Sequence, residues 1–226
     1  MLPDYLAKAT PNAQSNRAPW YKNTAPTYAG TFLWIAFYSA IGVGTLTRAP
    51  LGLLLAGLAV AGLICYVFYY VPAMLGMKTG YPLYVVASST FGAKGGYAMP
   101  GLLMGVLQVG WFAVGTMFAT KFVLSAFGSQ AGPGTLPFII IGVVWALGMG
   151  FVGVLGIKYV ARVALLLNSI PLLMLIIVFV RTSPGIAQHQ VTDPAPYIGF
   201  MLIIQMVVGF FATAGAAGAD FGMSSR

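Results

Sequence analysis

Six apolar stretches, at about 30–46, 51–75, 99–127, 137–155, 160–180 and 197–219, take up most of this 226-residue chain. A bilayer core takes roughly 20 apolar residues of helix. Inside it, every backbone N–H and C=O must be paired within the protein, which favours helices over isolated strands. The pattern therefore predicts an all-α, polytopic membrane protein with about six transmembrane helices. Composition agrees, because only 6% of the residues are charged, against about 25% in a soluble domain. The acidic residues are three, Asp4, Asp193 and Asp220, and His189 is the one histidine.

Such a small stock of ionisable groups excludes a solvated globular surface and most hydrolytic active sites. The net charge of +8 does not form a nucleic-acid-binding patch, since the basic residues stand singly between apolar runs. They fit an orientation signal instead. With the N-terminus inside, Lys8, Arg17, Lys22, Lys78, Lys94, Lys158, Arg162 and Arg226 fall on the cytoplasmic side. Arg48, Lys121 and Arg181 are left for the other, a split of eight to three among the 11 Lys and Arg. The expected layout is a cytoplasmic tail at 1–29, a membrane domain at 30–219 with a surface connector at 76–98, and a cytoplasmic end at 220–226. Met1 to Pro26 is polar and lacks the basic-then-apolar order of a signal peptide. Cys65 lies within an apolar run and reads as packing.

Enzyme chemistry is poorly supplied. The chain has no HExxH, CxxC, GxSxG or phosphate-binding loop, and the interiors of the spans hold no acid–base pair or metal-ligand set. The expectation is no enzyme, no cofactor and no resident metal. Neutral polar and aromatic groups do occur in the spans. Gln108, Trp111 and Gly115 follow at spacings of three and four and so share one helix face. That face is either a platform for a flat heteroaromatic ligand or ordinary packing with an interhelical hydrogen bond. Phe210, Phe211 and Thr213 lie in the sixth stretch, and Asn168 and Ser169 in the fifth. Glycines at 42, 44, 209, 215 and 218 permit two readings: close helix packing, or first and sixth helices interrupted at a solute site.

Several segments together resemble the nucleobase–cation symporter-1 family, which includes cytosine permeases and hydantoin, allantoin and purine transporters. Gly80-Tyr-Pro-Leu-Tyr-Val-Val-Ala-Ser-Ser-Thr-Phe91-Gly92 is similar to the family's connector between second and third helices. Gly110-Trp111-Phe112-Ala113 is similar to its third-helix Trp-Phe-Gly. Gly209-Phe210-Phe211-Ala212-Thr213, with Asp220-Phe221 following, is similar to its sixth-helix pattern, and Trp34 falls where the family often has a tryptophan. The segments are collinear over nearly the whole chain.

The resemblance implies a leucine-transporter-type inverted-repeat fold, of which this chain holds the first repeat and the sixth helix. A missing C-terminal half is then expected, in the same gene product or in a partner chain. The resemblance also implies a stacking pair, Trp111 and Phe211, around a planar substrate, with Gln108, Gly115, Gly209 and Phe210 beside it. The family's third-helix glutamine is Gly115 here, so the amide that would read the substrate's polar edge is absent from that position. A coupling cation, Na+ or H+, would meet first-helix backbone at Ala36, Ser39 and Ile41. Conformational breaks are expected at Gly42, Gly44 and Gly215.

The reading predicts a multi-pass protein of the cytoplasmic membrane, with both ends of this segment inside. It would import a nucleobase or related planar heterocycle, such as cytosine, a purine, hydantoin or allantoin, with a cation by alternating access. A thiamine-like or amino-acid substrate on the same scaffold is one rival, and a non-transporting membrane subunit is another.

Overall fold

The structure is a computed structural model that describes residues 3–22, 24–26 and 35–226, with backbone alone for Ile35, Ala36, Ser39 and Ile157. Trp34 and the 30–34 part of the first stretch lie outside the described residues. In chain order the helices are α1 (Asp4–Ala7), α2 (Ile35–Thr45), α3 (Leu51–Thr79), α4 (Leu83–Val86), α5 (Ser88–Gly96) and α6 (Met104–Ala126). They are followed by α7 (Leu136–Val154), α8 (Ile157–Leu167), α9 (Ser169–Thr182), α10 (Pro196–Ala216) and α11 (Gly218–Gly222). Five helical segments among the described residues are long and apolar enough to cross a bilayer: Leu51–Thr79, Ser88–Ala126, Leu136–Val154, Lys158–Gln188 and Pro196–Ala216. The protein is an all-α, polytopic membrane protein.

Local chemistry sets the helix ends. Pro50 and Thr135 stand in extended backbone just before α3 and α7. Gly80 ends α3 in the left-handed region, φ 75°, which a residue without Cβ adopts at little cost. Pro100 does not break the third stretch. A π-helical turn at Tyr97–Leu103 takes it in, as such turns accommodate a missing N–H donor. The helical path consequently starts well before residue 99, just after a non-helical break at Gly92 (φ 72°, ψ 172°) that sets the short turn at 88–91 apart from it. Two short helices and this break make up the segment expected as a surface connector.

The spans form two groups. α10 makes its most extensive contact with α3 and also packs on α2, while α6 packs on α7. The buried core belongs to the first group and includes Phe37, Ile41, Leu54, Ala61, Ile203, Val207 and Phe211.

Glycine makes the α3–α10 contact possible. Pro72 lies inside α3 and has no N–H to give the carbonyl of Phe68, one turn earlier. A Cβ built on Gly215 would stand 3.0 Å from that same carbonyl oxygen, and one on Gly218 would stand 3.1 Å from the carbonyl oxygen of Tyr69. At Gly76 and Gly222 a Cβ would overlap the carbonyls of Ala219 and Ala73. α3 thus runs backbone against backbone with the end of α10 and with α11 over about two turns. Close approach of this kind is how membrane helices gain contact without a hydrophobic driving force between them.

The N-terminal segment closes over one end of this pair. Arg17 donates from Nε and Nη2 to the carbonyl of Asn12 (3.0 and 2.8 Å) and from Nη1 to that of Met77 (2.5 Å). The Asn12 backbone N–H donates to the Gly80 carbonyl at 2.8 Å, and its side-chain amide to that of Met223 at 3.0 Å. Ala18 pairs with Ser224 and Arg226 through backbone hydrogen bonds, and the Tyr5 hydroxyl donates to the Ala93 carbonyl. Lys8, Arg17, Lys78, Lys94 and Arg226 are thereby gathered at one end of the molecule. At the opposite end the 189–195 loop docks on the loop between α2 and α3. Thr192 and Asp193 donate to the Thr47 carbonyl (3.1 and 2.9 Å), and His189 Nε2 lies 3.4 Å from the Ala49 carbonyl.

Asp220 joins α11 to the connector by accepting a 2.8 Å hydrogen bond from the Leu83 N–H. Burial against the connector raises its pKa above the ordinary carboxylate value, and the Leu83 bond offsets part of that rise.

Two predictions follow from this packing. Gly76→Leu or Gly222→Leu should cost about 1–3 kcal/mol or more through overpacking, lowering the detergent melting temperature. Gly110→Ala, with no atom of the described residues within 4 Å of the new Cβ, should leave it unchanged. Asp220→Asn keeps an acceptor for Leu83 and removes a desolvated charge, so at neutral pH it should melt no lower than the wild type. Because the folded pKa is raised, stability from this group is present at low pH and lost as pH rises through that pKa. Any gain of Asp220→Asn over wild type should therefore vanish on acidification.

Candidate functional site

Aromatic side chains from three helices meet where the two groups face each other. Trp111 of α6 and Phe210 of α10 have ring centroids 4.5 Å apart at 55°. Phe37 of α2 lies 4.4 Å from Phe210 at 42°. Beside these rings is a cavity of about 480 Å³, lined by Phe37, Ala40 and Ile41 of α2, Trp111, Val114 and Phe118 of α6, and Leu202, Gln205, Met206, Gly209 and Phe210 of α10. Its size falls in the range of roughly 300–1,000 Å³ usual for small-molecule pockets.

Helix periodicity explains which residues arrive. Trp111, Val114 and Phe118 repeat at three and four along one face of α6. Leu202, Gln205, Met206, Gly209 and Phe210 do the same on α10. Among the described residues, no atom lies within 4 Å of a Cβ built on Gly209, so this glycine leaves room beside the rings.

The expected partner of Trp111 was Phe211, and the structure puts Phe210 there instead. Successive residues on a helix point about 100° apart, so the two phenylalanines serve different neighbours. Phe211 is buried in the α2–α3–α10 core and meets Phe37 edge-on at 5.0 Å and 80°. It also lines a second, more apolar cavity of about 630 Å³ on the α3 side of α10, with Tyr38, Leu58, Cys65 and Tyr66. Phe37 lines both cavities.

Other expected site residues are less central. Gln108 is exposed, and neither it nor Gly115 is on the cavity wall. In α2 the described backbone is helical from Ile35 through Gly42 and Gly44 to Thr45. The carbonyls of Ala36, Ser39 and Ile41 therefore stand inside the helical ladder, and that of Ile41 also accepts the Thr45 hydroxyl at 2.8 Å. A Cβ on Gly44 would stand 3.0 Å from the methyl of Met206 in α10, so the close-packing reading describes Gly44, whereas one on Gly42 would meet only Leu46, one turn on in sequence, at 3.4 Å. The sixth stretch is interrupted, at Ala217, two residues beyond Gly215, between α10 and α11. Asn168 marks a similar joint between α8 and α9, and its amide donates to the Pro26 carbonyl at 2.8 Å.

Gln205 is the residue the sequence reading passed over. Its signal was available: an amide in the middle of an apolar stretch, four and five residues before Gly209 and Phe210. Among the described residues, no group of three or more His, Cys, Asp or Glu side chains could hold a metal ion.

The chain is 32% identical over 153 residues to the cytosine permease of Escherichia coli O157:H7, covering 65% of this chain and 34% of that protein. It is likewise 32% identical over 152 residues to the cytosine permease of Escherichia coli strain K12, with the same shares. The alignment thus spans about a third of the length of the curated relatives it matches. No family model and no solved structure matches the chain.

Truncations at the two phenylalanines should separate their roles. Phe211→Ala should destabilise by about 3–5 kcal/mol, as for a core aromatic. Phe210→Ala, at a half-buried cavity wall, should cost clearly less in the same thermal unfolding measurement.

Proposed function

We propose that the chain belongs to the nucleobase–cation symporter-1 family and forms part of a secondary active transporter. It would import a nucleobase or related planar heterocycle, such as cytosine, a purine, hydantoin or allantoin. One observation carries this reading. Trp111, Phe210 and Phe37, from three different helices, border one cavity in a chain similar to proteins named cytosine permeases. Those names also favour a carrier over an enzyme.

The chemistry of the wall suits such a solute. A planar ring gains about 1–3 kcal/mol from stacking on an aromatic face, and the apolar lining removes water from it. Trp111 and Phe210 touch in this structure, so a ring entering between them would part them by about one van der Waals contact distance, roughly 3.5 Å. Parting Trp111 from Phe210 separates α6 from α10, which belong to different helix groups. Substrate binding and relative movement of the groups are then one event, as alternating access requires.

A coupling ion would be Na+ or H+. Hard cations take oxygen ligands, and the carbonyls of Ala36, Ser39 and Ile41 could serve only where α2 unwinds and frees them from the ladder. In this reading that unwinding accompanies ion binding, with Gly42 and Gly44 lowering its cost. Interruption of the sixth stretch beyond Gly215 gives the second mobile joint. The remaining helices of the transporter would come from the same gene product or from a partner chain.

The protein would sit in the cytoplasmic membrane with 1–29 and 220–226 inside. The gathering of Lys8, Arg17, Lys78, Lys94 and Arg226 at one end supports this orientation.

Uptake of radiolabelled cytosine into proteoliposomes under an imposed Na+ or H+ gradient tests the proposal. Trp111→Ala and Phe210→Ala should each weaken apparent affinity roughly 10- to 100-fold, the equivalent of one stacking face. Unchanged uptake in Trp111→Ala would remove the aromatic cavity as the site.

A further inference from the structure

We infer that Gln205 reads the polar edge of the substrate, and that the substrate therefore carries a hydrogen-bond donor and acceptor side by side on one edge of a planar ring. This inference rests on the proposed transport function and adds a residue and a substrate requirement to it.

Gln205 lies within α10, nine residues after Pro196 and eleven before Ala216, which places it near the middle of the bilayer. An uncharged amide at that depth is costly unless its donors and acceptor are paired. Among the described residues it has no hydrogen-bond partner, and its side chain is exposed on the wall of the aromatic cavity. Among the described residues the rest of that wall is aliphatic, aromatic or thioether, and its other strong hydrogen-bonding group is the Trp111 indole N–H, a donor only, so Gln205 supplies the side-chain acceptor and the one paired donor and acceptor. Gly209, one turn further along α10, leaves open space directly beside the amide.

Position and chemistry then limit what can pair with it. The rings of Trp111 and Phe210 would hold the faces of a flat ligand, so an amide on the adjoining wall meets the ligand's edge. A glutamine amide offers one acceptor oxygen and an NH2 donor about 2.3 Å away in the same plane. Its complement is a ring N–H beside a carbonyl, or a ring nitrogen beside an exocyclic amine. Glutamine uses this bidentate pairing when it reads an adenine edge. Gln205 would thus do from the sixth span what the resemblance led one to expect of a third-helix glutamine, the position occupied here by Gly115.

The test is equilibrium binding of radiolabelled cytosine to the purified complete transporter, this chain together with its remaining helices, in lipid nanodiscs. Competition by unlabelled cytosine is compared with competition by 1-methylcytosine and by N4,N4-dimethylcytosine, each of which blocks one donor–acceptor edge. The wild type should prefer cytosine over one of the two blocked compounds by roughly 10- to 100-fold, the scale of one bidentate pair. Gln205→Met, which keeps length and removes the amide, should bind cytosine weaker by a similar factor and lose that preference. A second variant, Gln205→Asn, should retain part of it. Damage to folding would weaken all three ligands together, so the preference ratio reports the edge contact itself. A ratio unchanged in Gln205→Met would overturn the inference while leaving the transport proposal intact. Absence of cytosine binding to the wild type would overturn the transport proposal, and the inference with it.

Discussion

Backbone contact between the second and sixth apolar stretches is the constraint on which the rest of the structure depends. Gly215, Gly218 and Gly222 bring α10 and α11 against the carbonyls of Phe68, Tyr69 and Ala73, and Gly76 receives the carbonyl of Ala219 in return. Apolar side chains gain little by leaving lipid for one another, so this contact must come from shape. Once it forms, the rotation of α10 about its own axis is set. Ile203, Val207 and Phe211 turn into the core, and Gln205, Gly209 and Phe210 turn toward α6.

That rotation makes the candidate site. Had α10 been turned by one residue, Phe211 would face Trp111 and the amide would leave the cavity. The seam and the site are therefore two faces of the same helix, one closed by glycine and one opened by it. The N-terminal segment reinforces the arrangement at one end, where Arg17 and Asn12 join α3, Gly80 and Met223. The 189–195 loop does so at the other, through Thr47 and Arg48.

Much of this was legible in the residues. Apolar length predicts the spans from 51 onward, because bilayer thickness leaves a helix few alternatives. Their ends shift where local backbone chemistry intervenes, as at Pro100, where a π-helical turn carries the third helix back to the break at Gly92. Composition singled out Trp111, but the face it shares with Gln108 and Gly115 is not the one on the cavity wall, where it stands with Val114 and Phe118. Its aromatic partner was not legible either, because adjacent phenylalanines at 210 and 211 differ only in helix rotation, and rotation is decided by packing against α3. Glycine content was ambiguous for a similar reason. A glycine that admits a neighbouring backbone and one that permits a break look alike in sequence. Here Gly42 and Gly44 lie in continuous helix, while the interruption of the sixth stretch comes at Ala217. Gln205 was missed because attention to charged groups passes over a neutral amide, although at mid-bilayer depth an amide too needs a partner.

The most direct measurement is an experimental structure of the complete gene product in lipid, determined with cytosine bound. The account predicts the pyrimidine between Trp111 and Phe210, its donor–acceptor edge toward Gln205, and Phe211 still buried against α3. Cytosine stacked on Phe211 in the cavity beside Tyr38 and Tyr66, with Trp111 and Phe210 still touching, would contradict it.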